Sequence, residues 1–223
     1  MPARTDPPRT RENTVRAEPP MVPFVIQREG EDAAPDNLLL SSLGPDRYRL
    51  HYADEDPGTV TCAACCGPAA PSGTVDDLGR PVGRPQWRMM QALRCQVCAE
   101  RARTPLGFIF LAGPDTVDPD DRTVLTNQPP VCPEHARMSA DLCPHLTPDP
   151  MAFLVQSAPM YGVNGVGYGY GDQGVQVVQR PAGPIPYSHP LLPTVLASQM
   201  VRRLSAFRLV GLNQLLWELE RAA

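Results

Sequence analysis

The chain has 223 residues, a net charge of −4 and 28 prolines against 17 glycines, a size that suits one domain with or without a tail. All 20 cationic side chains are arginine, which excludes a P-loop lysine, a Schiff-base lysine and a lysine general base, and with them P-loop NTPases, pyridoxal-phosphate enzymes and ordinary protein kinases. The small negative charge gives no global field favouring DNA or an anionic membrane, and the proline density predicts turns and extended linkers rather than long helices.

Residues 1–35 are polar and rich in Pro, Arg and acids, which predicts a disordered arm with one short strand at Met21–Gln27. The first 20 residues contain no apolar signal core. No apolar run approaches the roughly 20 residues that a membrane helix needs. A cytoplasmic protein with reduced thiols and no membrane partner is expected.

Residues 36–223 read as a single α+β domain. Leu38–Leu40 is followed by Arg47–Tyr52, whose alternation of polar and apolar residues predicts a half-buried strand. Residues 62–84 are loop-like. Pro85–Arg94 can form a short helix, since proline is tolerated in the first turn. Leu106–Ala112 is a strand, and Gly113–Asn127 an acidic exposed loop. Pro129–Cys143 begins as a turn and becomes a helix, with Glu134 complementing the dipole of its first turn and Pro144 stopping it.

Farther on, Ala152–Gln156 and Val175–Gln179 read as strands joined by a Gly/Tyr-rich connection, Tyr161–Gly174. The alternating glycines of Gly165–Gly171 do not follow Gly-x-Gly-x-x-Gly, so a flexible hairpin connection is expected there and not a nucleotide loop. Tyr168 and Tyr170 are the side chains of that run able to stack on bases. Pro193–Phe207 predicts a helix with Leu196, Met200, Leu204 and Phe207 on one face and Arg202 and Arg203 turned away. Arg208–Val210 is expected to be extended, and Asn213 to cap a terminal helix ending near Arg221.

The chemistry lies in four close-spaced donor pairs, Cys62/Cys65, Cys95/Cys98, Cys132/His135 and Cys143/His145. Thiolate and imidazole are the ligands of tetrahedral zinc, and a two-residue gap supplies the tight turn that brings two donors to one ion. Cys-x2-Cys, then a strand, then Cys-x2-His at the start of a helix is the order of a treble-clef zinc finger, so 36–223 is read as a zinc-binding domain with a treble-clef-like core at 87–146, and Cys95, Cys98, Cys132 and His135 form its first predicted site. Cys62, Cys65, Cys143 and His145 can complete a second, with Cys66 as an alternative donor, so one or two Zn2+ ions are expected. The pairs can also alternate in a cross-brace, or Cys143 and His145 can simply cap the helix and pack beneath it. Four protein ligands leave no open position for water, which marks the first site as structural.

Catalytic signatures are missing. No His-x-Glu, His-Glu-x-x-His or Gly-x-Ser-x-Gly occurs, and the expected hairpin at 104–127 holds no histidine of the kind HNH nucleases use. His51 and His189 read as ordinary surface or core histidines. Residues 76–104 hold six arginines against three acids, so Arg80, Arg84, Arg88, Arg94, Arg101 and Arg103 form a basic strip that can contact nucleic acid or stand as a solvated face. A non-enzymatic module for a protein or nucleic-acid partner is the leading reading. The alternatives are a zinc-dependent enzyme such as a degenerate treble-clef nuclease and a small regulator carried by a mobile element.

Around Arg94–Cys98, Pro129–Cys132 and Cys143-Pro-His-Leu146 the chain resembles a group of uncharacterised zinc-finger-like proteins of high-GC Gram-positive bacteria and their mobile elements. The likeness runs from about Trp87 to Val210 and takes in Gly162–Val166 and Leu196–Gln199. Members often carry cysteine at the position of His135, and the Cys62/Cys65/Cys66 cluster is not part of their pattern. The resemblance implies a zinc-finger-like protein and no particular activity.

Overall fold

A computed structural model describes residues 38–53, 85–113, 123–143, 146 and 149–222. The arm and strand expected within 1–37, and the loop at 62–84, lie outside these residues. In chain order the elements are β1 (Leu38–Gly44), β2 (Arg47–Tyr52), α1 (Pro85–Ala92), β3 (Arg103–Thr104), β4 (Gly107–Ala112), β5 (Thr123–Thr126), α2 (Pro133–Leu142), β6 (Met151–Ser157), β7 (Met160–Gly171), β8 (Gly174–Gln179), β9 (Ile185–Pro186), β10 (Val195–Gly211) and α3 (Leu212–Ala222). Antiparallel sheet dominates, with far fewer residues in helix. Among the described residues no helix is long and apolar enough to cross a membrane.

The 17-residue β10 is the spine. Its first half pairs with β7, from Val195↔Gly167 to Arg202↔Met160, and its second half with β6, from Ser205↔Ser157 to Gly211↔Met151. Arg202 also pairs with Thr126, and Ser205 with Thr123, so β5 occupies the opposite edge. β4 extends the sheet beyond β6, and β8 and β9 extend it beyond β7.

The helix expected over Pro193–Phe207 is therefore a 3-10 turn at Leu192–Thr194 followed by a strand. The spacing of Leu196, Met200 and Leu204 explains the discrepancy. Residues four apart share a face on a helix, but they also share a face on a strand, whose side chains repeat every second position. Pairing partners, which are invisible locally, decide between the two. Arg202 is likewise not turned away to solvent but is 6% exposed.

The Gly/Tyr run also proves to be strand, β7, and not a flexible connection. Its alternation has period two: glycines 165, 167, 169 and 171 take one face, and Val166, Tyr168 and Tyr170 the other. At Gly162 a β-carbon would stand 1.9 Å from the Ile185 carbonyl oxygen, so β9 can cross there only over glycine. On the face away from glycines 165–171, Val166 and Tyr168, with Val175 of β8, pack against Leu40, Leu50 and Tyr52, which lays the β1–β2 hairpin over the sheet. The Tyr170 hydroxyl donates to the Leu40 carbonyl at 2.7 Å. Tyr168 and Tyr170 thus serve packing.

The main core joins Ile109 and Phe110 of β4, Phe153 and Val155 of β6, Ala136 and Ala140 of α2, and Leu212, Leu215, Leu216 and Leu219 of α3. These leucines lie at helical spacing and form the buried stripe of α3. Asn213 falls inside the first turn of this helix and does not cap it. A single C-terminal helix, not several, closes the described fold.

Candidate metal centre

Two short segments build the site. The first follows α1, where the chain turns through Leu93 at φ 50° and doubles back on itself. Arg94 and Arg101 pair across this turn. Inside it the Cys95 amide donates to the Glu100 carbonyl at 2.8 Å and the Ala99 amide to the Cys95 carbonyl at 2.9 Å. Ala99 adopts φ 61°, the left-handed geometry that closes so tight a loop. The outcome is a knuckle that turns Cys95 and Cys98 to the same side.

The second segment leads into α2. Its Val131 amide donates to the Ile109 carbonyl at 2.9 Å, which aligns it beside β4. The Gln96 amide donates to the Pro130 carbonyl at 2.9 Å and so docks the knuckle on this segment. Cys132 is the N-cap residue of α2 with extended backbone, φ −79° and ψ 162°, and Pro133 follows at the first helical position. An N-cap normally offers a side-chain oxygen to the orphan amides of the first turn. Here the capping position carries no such oxygen, and its sulfur belongs to the donor cluster.

Cys132 and His135 are three residues apart at the helix start, and their donor atoms, Sγ and Nδ1, lie 3.1 Å from each other. The Cys98 and Cys132 sulfurs are 4.0 Å apart, and one ligand atom from each of Cys95, Cys98, Cys132 and His135 falls within 4.8 Å of all the others. A tetrahedral ion with Zn–S of about 2.3 Å needs sulfurs about 3.8 Å apart, so the cluster has the dimensions of a single four-coordinate cation. The cysteines are free thiols. No protein-family model, curated protein or solved structure matches this chain.

The electrostatics of the thiols fit the same conclusion. Burial pushes Cys95 up, but the backbone amides of Cys98, Cys132 and Val97 aimed at its sulfur outweigh this and leave it below the ordinary thiol range. Cys132 is pushed up to about 12, first by burial and then by the charge of its thiolate neighbours, against the opposing amide of His135. Burial also raises Cys98, despite the Glu100 amide, with Cys95 adding to the rise. A lone thiolate is favoured here, and further ones are opposed by burial and by each other's charge, a repulsion that a cation among the sulfurs would relieve.

The helix before the knuckle is held from β10. Arg202 donates through Nε to the Met90 carbonyl at 2.8 Å, through Nη2 to the Gln91 carbonyl at 3.1 Å, and through Nη1 to the Ala158 carbonyl. Met90 and Gln91 lie in the last turn of α1, where carbonyls have no partner within the helix. At the other end of α1, the Gln86 side chain donates through Nε2 to the Met200 carbonyl at 2.9 Å and accepts the Met200 N–H on Oε1 at 3.0 Å, as a neighbouring strand would. Sequence reasoning missed both residues. Neither residue carries a local signal, since β10 also holds Gln199, Arg203 and Arg208.

The other expected site residues are distributed differently. Of the second donor set, only Cys143 is described; it caps the C-terminus of α2 and is partly exposed, while Cys62, Cys65, Cys66 and His145 lie outside the described residues. Arg80 and Arg84 also lie outside, whereas Arg88, Arg94, Arg101 and Arg103 are exposed. Arg94 donates to the Ala99 carbonyl at 2.9 Å across the knuckle, and Arg103 stacks over the Phe108 ring at 5.1 Å, so both also brace the site. His51 Nε2 lies 2.7 Å from Ser41 Oγ, and His189 Nδ1 accepts the Leu191 amide, so each has a local partner.

Proposed function

We propose that Cys95, Cys98, Cys132 and His135 hold one structural Zn2+ ion in a treble-clef-like centre, and that the protein is a non-enzymatic binding module organised around it. One observation carries this reading: the convergence of three sulfurs and one imidazole nitrogen within 4.8 Å, from a knuckle and the first turn of a helix. Zinc suits the donor set, since soft thiolates and imidazole in fourfold geometry favour it over the oxygen-loving cations. The β3–β4 hairpin after the knuckle and Cys132 at the N-cap of α2 support the treble-clef reading. Four protein donors fill a tetrahedral ion, which favours a structural role over hydrolysis.

The ion's work would be mechanical. It ties the knuckle after α1 to α2, two segments whose nearest ligands, Cys98 and Cys132, are 34 residues apart in sequence. Structural zinc contributes about 10–16 kcal/mol of binding free energy in small modules, so the core around β4 and α2 would depend on it. The exposed Arg88, Arg94, Arg101 and Arg103 flank this centre and form the surface proposed for a partner. Metal analysis of protein purified without a metal-binding tag tests the reading. One zinc per chain supports it, two bring in the Cys62/Cys65/Cys143/His145 set, and none refutes it. Titration of single-stranded RNA or DNA at low and moderate salt tests the partner class. Binding that weakens with salt supports nucleic acid, and its absence at low salt leaves a protein partner.

A further inference from the structure

We propose that the same centre is an oxidant-sensitive release site, in which Cys98 and Cys132 join as a disulfide and the metal is expelled. This rests on the zinc reading above. Two features single out this pair. Cys95 is fully buried, at 0% exposure, and His135 is 8% exposed, whereas Cys98 and Cys132 are both partly open to solvent. A small oxidant therefore reaches these two sulfurs first. The two sulfurs are also only 4.0 Å apart and come from different segments, one from the knuckle and one from the cap of α2. A disulfide needs sulfurs about 2.05 Å apart, so closure takes a movement of about 2 Å, within reach of side-chain rotation and a small shift of the knuckle.

The chemistry balances with hydrogen peroxide as oxidant. One thiolate attacks a peroxide oxygen; the O–O bond breaks, an S–O bond forms, hydroxide leaves and the sulfur becomes a sulfenic acid. The second thiolate then attacks that sulfur, the S–O bond breaks and a second hydroxide departs. Two protons from solvent convert the two hydroxides to water. One peroxide has taken up two electrons from two thiolates. The ion keeps only Cys95 and His135, a two-donor set that does not retain zinc against water. The new bond spans the same two segments as the lost ion, so the knuckle stays tied to α2 while the metal leaves.

The test uses the full chain loaded with zinc. Peroxide is added from one to ten equivalents, released zinc is read with a chromophoric chelator, and alkylated peptides are mapped by mass spectrometry. The expected result is release of one zinc per chain together with a Cys98–Cys132 linked peptide. A Cys95–Cys98 link, sulfinic acid without any link, or zinc retained at ten equivalents overturns the proposal. Cys132→His keeps four donors but removes one member of the pair, and should release zinc at least tenfold more slowly; equal rates overturn the proposal as well. A chain that takes up no zinc refutes the parent reading separately. In that case the peptide map of the metal-free chain still decides whether Cys98 and Cys132 are the sulfurs that join.

Discussion

Replacing Arg202 by methionine removes the guanidinium and keeps most of its apolar stem. The arginine is 6% exposed, and burial holds its pKa below the ordinary value, so its charge sits at a desolvation cost. The variant recovers that cost, but it strips the carbonyls of Met90, Gln91 and Ala158 of a donor, and backbone cannot be exchanged for something apolar. A hydrogen bond to a charged group contributes about 1.5–3 kcal/mol, and each buried acceptor left bare costs about 1–3 kcal/mol. Set against the recovered desolvation, the net loss should be about 3–5 kcal/mol, the size seen when one partner of a buried charge interaction is deleted. Urea unfolding of the zinc-loaded protein measures it. With a slope of about 2 kcal/mol/M the midpoint should fall by about 2 M. Arg203→Met, at the exposed neighbouring position, is the control and should change stability by no more than about 0.5 kcal/mol. Equal midpoints for the two variants would refute the claim that Arg202 holds α1 in place.

Three other outcomes follow from the same geometry. His135→Cys should keep one zinc per chain, because thiolate replaces imidazole at a tetrahedral site, whereas His135→Ala should weaken zinc binding by about 100-fold or more in a chelator competition. Zinc affinity should rise with pH from 6 through 9 without levelling, since the metal-bound thiols carry no protons while free Cys132 holds its proton up to about 12 and free Cys98 is also raised; acidification returns those protons and ejects the ion, and an affinity flat over that range would contradict the assignment. Gly162→Ala should destabilise by about 1–3 kcal/mol through overpacking against the Ile185 carbonyl, read as a lower melting temperature, whereas Gly211→Ala, with open space around it, should cost less than about 1 kcal/mol.

The donor set was legible because its chemistry is local. Two donors at short spacing announce a chelating turn, and the structure brings Cys95, Cys98, Cys132 and His135 together. Strands with clear alternation or unbroken apolar runs, Arg47–Tyr52 and Gly107–Ala112 among them, were legible for the same reason. So was α3, whose leucines sit at helical spacing. What escaped was set by distant partners. The residues of β10 satisfy both a helical and a strand pattern, and only hydrogen bonds to β5, β6 and β7 choose. The glycines of β7 look like a flexible connection until Val195, Val178 and Gln176 are found crowding the spaces they leave. Arg202 reads as a surface cation unless the carbonyls that end α1 are known to lie opposite.

The position of β10 in the chain has a consequence for biosynthesis. Every strand that this spine joins precedes it in sequence, so all of them leave the ribosome before their common partner exists. All four donor residues, Cys95 to His135, are likewise made before the spine begins at Val195. Translation thus completes the donor set and the partner strands β5, β6 and β7 before the ladder that joins those strands can form.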